Sequence, residues 1–328
     1  MSKIGLTDID DQLEQRLIAK LAKVEDLLRS HIKGDYPLVV ETSRHLVEAG
    51  GKRLRPLLTL LASEFGNPDS KGVIESAVVC ELTHLATLYH DDVMDEAKLR
   101  RSVQSANDRW GNVVAILTGD YLFSKASDLL ADLGPEAVRL QAKTFERLVI
   151  GQISETQNKD KPDLTVENYL KVVSDKTASL IATSARFGAM LAGAKEREIE
   201  LLTQYGEKIG IAFQLADDVL DIASETTESG KTPGTDLKEG VPTLITLLVK
   251  KSNDPKDQSL IEKLSSQIAE SDLPNVLSAL RKHPALSQAR AQLKDLAKEA
   301  NEILMKLPEI PARQALIKLT SLLVERSR

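Results

Sequence analysis

Apolar residues return every three or four positions along most of the chain. Leu13, Leu17, Leu21, Val24 and Leu28 make the first such stripe, the spacing that gives an α-helix one apolar face. Alternation over the length of a strand is hard to find. The breaks are those of helices. Gly134-Pro135-Glu136 reads as one helix end followed by a proline-led start. Ser271-Asp272 offers an N-cap, with Pro274 in the first turn. Further breaks fall at 66–72, 158–165, 252–256 and 308–311. The longest polar break, 224–240 (SETTESGKTPGTDLKEG), is rich in Gly, Thr and charge, and long loops inside compact domains are often functional. No repeat of fixed period and no low-complexity linker interrupts the pattern. The expectation is one all-α domain over residues 1–328, more polar after about Lys250.

Composition changes this picture little. The 328 residues are 42% hydrophobic and 28% charged, with only 3% aromatic, which favours helices over sheets. A net charge of −6 gives no general attraction for nucleic acid or an anionic membrane, and nucleic acid is not expected as a partner. The single cysteine, Cys80, lies in an apolar stretch and reads as a small buried hydrophobe in a reducing compartment. The first fifteen residues lack the apolar core of a signal peptide. No apolar run approaches the ~20 residues of a transmembrane segment. The expected location is cytoplasmic.

Charge is concentrated in four places. Asp91-Asp92-x-x-Asp95 follows a mostly apolar helical stretch, and Asp217-Asp218-x-x-Asp221 is embedded in another. Carboxylates four apart share a helix face and repel one another unless a cation sits between them. Hard oxygen ligands at this density suit magnesium, which completes its shell with water and phosphate oxygens. In the second triad the apolar neighbours make uncompensated carboxylates still more costly. Gly50-Gly51-Lys52-Arg53-Leu54-Arg55-Pro56 combines a permissive backbone, three cations and a proline-started helix, which suits an anion at a helix N-terminus. Arg100-Arg101 adds two guanidiniums with the fork geometry for phosphate. Each cluster alone is compatible with a solvated surface. Together, in an acidic protein, they point to polyanions held through metal bridges and cations, with hydrocarbon against the apolar helix faces.

At these residues the chain resembles the trans-isoprenyl diphosphate synthases. The segments GGKRLRP, ELTHLATLYHDDVMDEAKLRR, GQISE, DKTASL, FQLADDVLDIA and GKTPGTDLKEGVPT carry the resemblance from about Gly50 to Leu248. The likeness is to long-chain polyprenyl synthases of actinobacterial type. It implies an isoprenoid-synthase-type helical bundle around a central cavity, working as a homodimer on isopentenyl diphosphate and allylic diphosphates with three Mg2+ ions. By the same resemblance, Asp91 and Asp95 ligate metal with Asp92 in support, and Asp217 ligates with Asp218 and Asp221 in support. Lys52, Arg55, His84 and Arg101 hold isopentenyl diphosphate. Arg100, Lys176 and Lys231 hold the allylic diphosphate, Thr177 and Gln214 line its reacting end, and Gln152 faces the cavity. Two positions depart from the family pattern: Val241 stands where many members carry lysine, and Ser102 where glycine is common.

The expected activity is repeated head-to-tail condensation giving an all-trans chain of about heptaprenyl to decaprenyl length, for use in quinone side chains. Ala86 and Thr87, one helical turn before Asp91, are small where short-chain relatives commonly carry a bulky aromatic floor. Geranylgeranyl diphosphate synthase is the alternative, and a catalytically silent partner subunit is another. A silent subunit tends to lose the triads, whereas this chain has both. A terpene cyclase would carry a different second metal motif and lack Lys52 and Arg55. A phosphohydrolase reading of His90-Asp91 leaves the second triad and GGKRLRP unexplained.

Overall fold

The first apolar stripe folds as α1 (Asp11–His31), burying Leu13, Leu17, Val24 and Leu28 while Asp10 caps Leu13 N–H at 2.8 Å. The computed structural model describes residues 5, 6, 8–158, 161, 163–224, 233–266 and 268–326. Helices follow in the order α2 (Pro37–Glu48), α3 (Leu54–Ser63), α4 (Val73–Met94), α5 (Ala106–Trp110), α6 (Asn112–Leu133) and α7 (Pro135–Asn158). Then come α8 (Val166–Val173), α9 (Ser179–Leu191), α10 (Glu196–Ala223), α11 (Thr235–Lys238) and α12 (Leu244–Lys250). The last four are α13 (Gln258–Leu264), α14 (Leu273–Lys282), α15 (Pro284–Leu304) and α16 (Pro311–Arg326). The architecture is all-α. The breaks at 66–72, 134–136, 252–256 and 308–311 fall at or between helix ends, whereas the longest, 224–240, contains α11 and, like 158–165, lies partly outside the described residues. Among the described residues no helix is long and apolar enough to cross a membrane.

The chain divides into two compact units. The first comprises Met1–Thr144, Leu180–Gly206 and Leu304–Lys318, and the second Phe145–Ser179, Glu207–Ile303 and Leu319–Arg328. In the first unit α4 is the core helix. It is buried almost all round from Ser76 to Ala86, as an apolar helix without a polar face must be. Cys80 is buried there, and burial pushes its thiol up to about 11, so it packs as an inert hydrophobe. Buried Tyr89 donates to the Thr42 carbonyl and accepts from Leu46 N–H at 3.3 Å, fixing α2 against α4. In the second unit Arg281 of α14 closes the C-terminal end of α10 by donating to the carbonyls of Ile222 at 2.8 Å and Ser224 at 2.5 Å.

Three local features differ from the sequence reading. Helix α3 starts at Leu54, so Pro56 sits within its first turn, where N–H groups lack helical partners in any case. A two-residue hairpin, β1 (Leu99–Arg100) against β2 (Val103–Gln104), follows the first triad. Its central residues Arg101 and Ser102 have φ of 53° and 64°, the left-handed pair that a tight hairpin demands and that glycine adopts most easily. Between α8 and α9 the helix widens into a π-helical turn at Ser174–Ala178.

Candidate active site

In the first unit, the last turn of α4 carries Asp91 and Asp92, and Asp95 caps it. A helix C-terminus already presents partial negative charge, and this last turn has no basic residue. Three carboxylates placed there require cations from elsewhere. The 3.6-residue period separates their roles. Asp91 and Asp95 lie one turn apart and are half-buried, whereas Asp92 is fully buried. Arg100, delivered by the hairpin, grips Asp92 Oδ1 through Nε at 2.6 Å and Nη2 at 2.5 Å. Burial pushes the Asp92 carboxyl up, with Arg100 working against that shift. Asp92 Oδ2 is buried with no hydrogen-bond partner among the described residues.

The basic residues of this unit collect around one buried carboxylate, Glu81, which is 2% exposed. Arg53, in the left-handed region at the head of α3, donates to Glu81 at 3.0 Å, to both oxygens of Glu25, and to the carbonyls of Val47 and Gly50 at 3.1 Å. Arg101 donates to the Leu46 carbonyl at 2.7 Å and to the Gly50 carbonyl. Gly51 lets them in: a Cβ there would stand 2.9 Å from the Arg101 guanidinium carbon and 3.0 Å from Arg53 Nη1. Arg55, half-buried in the first turn of α3, has its Nε buried with no hydrogen-bond partner among the described residues. Burial lowers its pKa. Lys52 is exposed beside it. Burial, then Arg55, Arg101, Arg100 and Arg53 in that order, hold His84 well below the usual imidazole range, so it is neutral. Arg53, Arg55 and Arg101 around Glu81, with Arg53 shared with Glu25 and Arg100 on Asp92, leave an excess of positive charge, which suits a diphosphate. One turn before Asp91, Ala86 is fully buried and Thr87 half-buried, its hydroxyl on the His84 carbonyl at 2.8 Å.

In the second unit the other triad again ends a long helix, α10, whose last turn also lacks a basic residue. Asp217 is half-buried, while Asp218 and Asp221 are buried and occupied. Asp218 accepts from the Tyr169 hydroxyl, from Gln214 Nε2 at 3.1 Å and from Leu244 N–H at 3.4 Å. Burial nevertheless pushes its carboxyl up to about 6. Asp221 caps α11, accepting from Thr235 N–H at 3.1 Å and Asp236 N–H at 3.3 Å. Thr177 Oγ1 donates to Gln214 Oε1 at 3.2 Å, so Thr177, Gln214, Asp218 and Tyr169 form one chain of hydrogen bonds. Lys176, on the π-helical turn, pairs with Glu155 at 2.5 Å. Gln152 is half-buried, with a buried Oε1 that has no hydrogen-bond partner among the described residues. Val241, the family's lysine position, is half-buried and donates its N–H to the Asp236 carbonyl at 2.8 Å. Lys231 lies outside the described residues.

Thus the first unit brings together Asp91, Asp92, Asp95, Arg100, Arg101, Arg55, His84 and Lys52, and the second brings together Lys176, Thr177, Gln214, Gln152 and the Asp217 triad. Sequence reasoning missed Glu81, Arg53, Tyr169 and Glu155 as the groups that hold them. A signal existed for Glu81, because a charged residue inside an apolar run must find a partner. Among the described residues no three His, Cys, Asp or Glu side chains already form a metal cage. Magnesium asks for less, one or two carboxylates with water and phosphate supplying the rest. Carboxylates at helix ends whose last turns contain no basic residue, one with a buried oxygen that has no hydrogen-bond partner among the described residues, fit that donor chemistry.

Carboxylates gathered at a helix end in each unit, and a guanidinium nest within the first unit, define a class of all-helical protein that handles organic diphosphates with divalent metal. The sequence profile of the polyprenyl synthetase family matches residues 36–280, and the chain belongs to that family. It is 44% identical to the nonaprenyl diphosphate synthase of Mycobacterium tuberculosis, over 94% of this chain and 92% of that protein. The crystal structure of a decaprenyl diphosphate synthase from Rhodobacter capsulatus superposes with a TM-score of 0.89 at 33% identity, covering 97% and 99% of the two chains. A geranylgeranyl pyrophosphate synthase from Corynebacterium glutamicum, complexed with calcium and isoprenyl diphosphate, matches with a TM-score of 0.87 at 41% identity, covering 97% and 98%.

Proposed function

We propose that this prenyltransferase condenses isopentenyl diphosphate with an allylic diphosphate head to tail, repeatedly, giving an all-trans chain of about heptaprenyl to decaprenyl length for quinone side chains. The observation that carries the reading is the pair of aspartate triads near the C-terminal ends of α4 and α10, two helices whose own last turns contain no basic residue. Similarity to nonaprenyl and decaprenyl synthases supports the long product. A geranylgeranyl product is the second reading, favoured by the 41% identity to the Corynebacterium enzyme.

In this reading Asp91, Asp95 and Asp217 hold magnesium, three ions per site, with Asp92, Asp218 and Asp221 keeping those carboxylates in place. Bound metal supplies Lewis-acid charge for the departing diphosphate. Arg100, Lys176 and Lys231 take further charge from that leaving group, while Thr177 and Gln214 orient the carbon end. Lys52, Arg55, Arg101 and neutral His84 hold the diphosphate of isopentenyl diphosphate. The allylic C–O bond breaks, the isopentenyl double bond forms the new C–C bond, and a proton passes to the released diphosphate. No side-chain nucleophile is needed. The residues stabilise charge, orient the partners and exclude water. Gln152 faces the cavity, and the small Ala86 and Thr87 leave the growing chain room. One catalytic domain over residues 1–328 is supported by a single family profile that matches residues 36–280. A cytoplasmic homodimer is part of the reading. Val113 and Leu117, 70% and 60% exposed, line one face of α6 with Ile116 and support a second copy as the cover. The test is incubation with labelled isopentenyl diphosphate, a panel of allylic primers and magnesium, followed by sizing of the product. Extension past twenty carbons that stops on chelation is the expected result, and absence of condensation with every primer overturns it.

A further inference from the structure

The π-helical turn at Ser174–Ala178 closes with Ser179 N–H on the Ser174 carbonyl, one residue wider than an α-turn. Such an insertion rotates the helix before it by about 100° relative to the helix after it. It therefore decides where Lys176 and Thr177 point. A wide turn is less favourable than continuous α-helix, so something must hold it open.

Helix α7 does so with two residues one turn apart. Arg147 spreads its guanidinium over three residues. Nε donates to Asp175 Oδ1 at 2.9 Å, and Nη2 donates to Ser174 Oγ at 2.9 Å and to the Ser174 carbonyl at 3.1 Å. Glu207 of α10 receives Nη2 at 2.6 Å and Nη1 at 3.2 Å, and it also accepts from Ser174 Oγ at 2.5 Å. Lys171 supports the other Asp175 oxygen at 3.0 Å. Gly151 makes the room. A Cβ there would lie 2.6 Å from the Lys176 backbone nitrogen and 3.0 Å from the Asp175 carbonyl carbon. Arg147 thus grips the start of the turn while Gly151 admits its middle. Glu155, a further turn along α7, then meets the Lys176 ammonium at 2.5 Å.

We propose that Arg147 is a positioning residue for the allylic diphosphate: by pinning Ser174 and Asp175 against Glu207 it holds the π-helical turn open and aims Lys176 and Thr177. This rests on the prenyl-transfer reading above. Arg147 acts through the turn and not on substrate. Its side chain is 38% exposed and that of Glu207 29%, and ion pairs so open to water contribute little to stability. A five-bond network at such a place has its main effect on geometry.

The test compares steady-state kinetics of the full-length protein with Arg147→Met, Gly151→Ala, Arg147→Lys and, as a control, Leu280→Ala, a core truncation in the same unit. Arg147→Met and Gly151→Ala disturb the turn from its two ends. Both are expected to raise KM for the allylic diphosphate about tenfold or more, as displaced binding groups do, with KM for isopentenyl diphosphate within about twofold. Arg147→Lys is expected to resemble Arg147→Met, since one ammonium lacks the planar fork. Leu280→Ala should lower the melting temperature without this split. Hydrogen exchange gives a readout besides turnover: the Ser179 amide should lose protection in Arg147→Met and keep it in Leu280→Ala. Normal allylic KM in Arg147→Met, full recovery by Arg147→Lys, or unchanged Ser179 protection each overturns the proposal. Failure of the prenyl-transfer reading is separate, showing as a wild type that makes no product while the exchange result still decides the role of Arg147 in the turn.

Discussion

Tyr169→Phe removes one hydroxyl and should change the charge on the second triad. In the wild type the Asp218 carboxyl is fully buried in its helix packing and is pushed up to about 6, against hydrogen bonds from Tyr169, Gln214 and Leu244 N–H. The Tyr169 bond to an ionised carboxylate is worth about 1.5–3 kcal/mol, and to a protonated one about 0.5–1.5 kcal/mol. The difference, about 1–1.5 kcal/mol, corresponds to about one pH unit. The midpoint of Asp218 should therefore move from about 6 to about 7. At pH 7 the carboxyl would fall from about nine-tenths ionised to about half. Stability follows the same shift. Because the folded-state pKa lies above the ordinary 3.8, stability present at low pH is lost as pH rises from about 4 through 6, a loss of about 3 kcal/mol. In the variant that window extends to about pH 7. Carboxyl-carbon NMR titration of aspartate-labelled protein in chelator, with Asp218→Asn to assign the resonance, measures the midpoint directly. A midpoint that stays at 6 or falls in Tyr169→Phe would show that the tyrosine does not favour the ionised form, and the reasoning fails.

Removing the Asp91 carboxylate should cost several kcal/mol of transition-state stabilisation, on the order of a hundredfold in kcat, so a folded Asp91→Ala with normal turnover in magnesium would refute its metal role. Arg55→Ala should raise KM for isopentenyl diphosphate about tenfold or more, the loss of one charge-assisted bond of about 1.5–3 kcal/mol, while the allylic KM stays within about twofold; equal effects on both substrates would mean the site is misassigned. Ala86→Phe places a ring where the side chain is fully buried, which should cost roughly 1–3 kcal/mol of stability and shift products toward farnesyl or geranylgeranyl. An unchanged product length in a folded Ala86→Phe would remove Ala86 from the path of the growing chain.

The residues legible in the sequence were those whose roles are set by local period. The helix stripes, the Gly and Pro breaks and the facing pair Asp91 and Asp95 all follow from 3.6 residues per turn. So does the inward turn of Asp92, which lies about 100° from Asp91 around α4. The features that stayed hidden are set by partners far away in the chain. Lys52, Arg53 and Arg55 look alike as three cations in GGKRLRP. The fold separates them, because Arg53 meets Glu25 and Glu81 while Arg55 keeps a buried Nε with no hydrogen-bond partner among the described residues. Removing Arg53 would leave buried Glu81 short of charge, a structural loss, whereas removing Arg55 takes away a cation whose buried Nε lacks a hydrogen-bond partner among the described residues. The hairpin escaped notice because Arg101 and Ser102 adopt positive φ without being glycine. The π-helical turn escaped because neither the residues in it nor their spacing call for an extra residue; Arg147 and Gly151, on another helix, impose it. The proposed metal carboxylates are legible as a motif because a shared metal would need them adjacent on one helix. Neighbouring cations are told apart only by which buried carboxylate each one meets, and that depends on the fold.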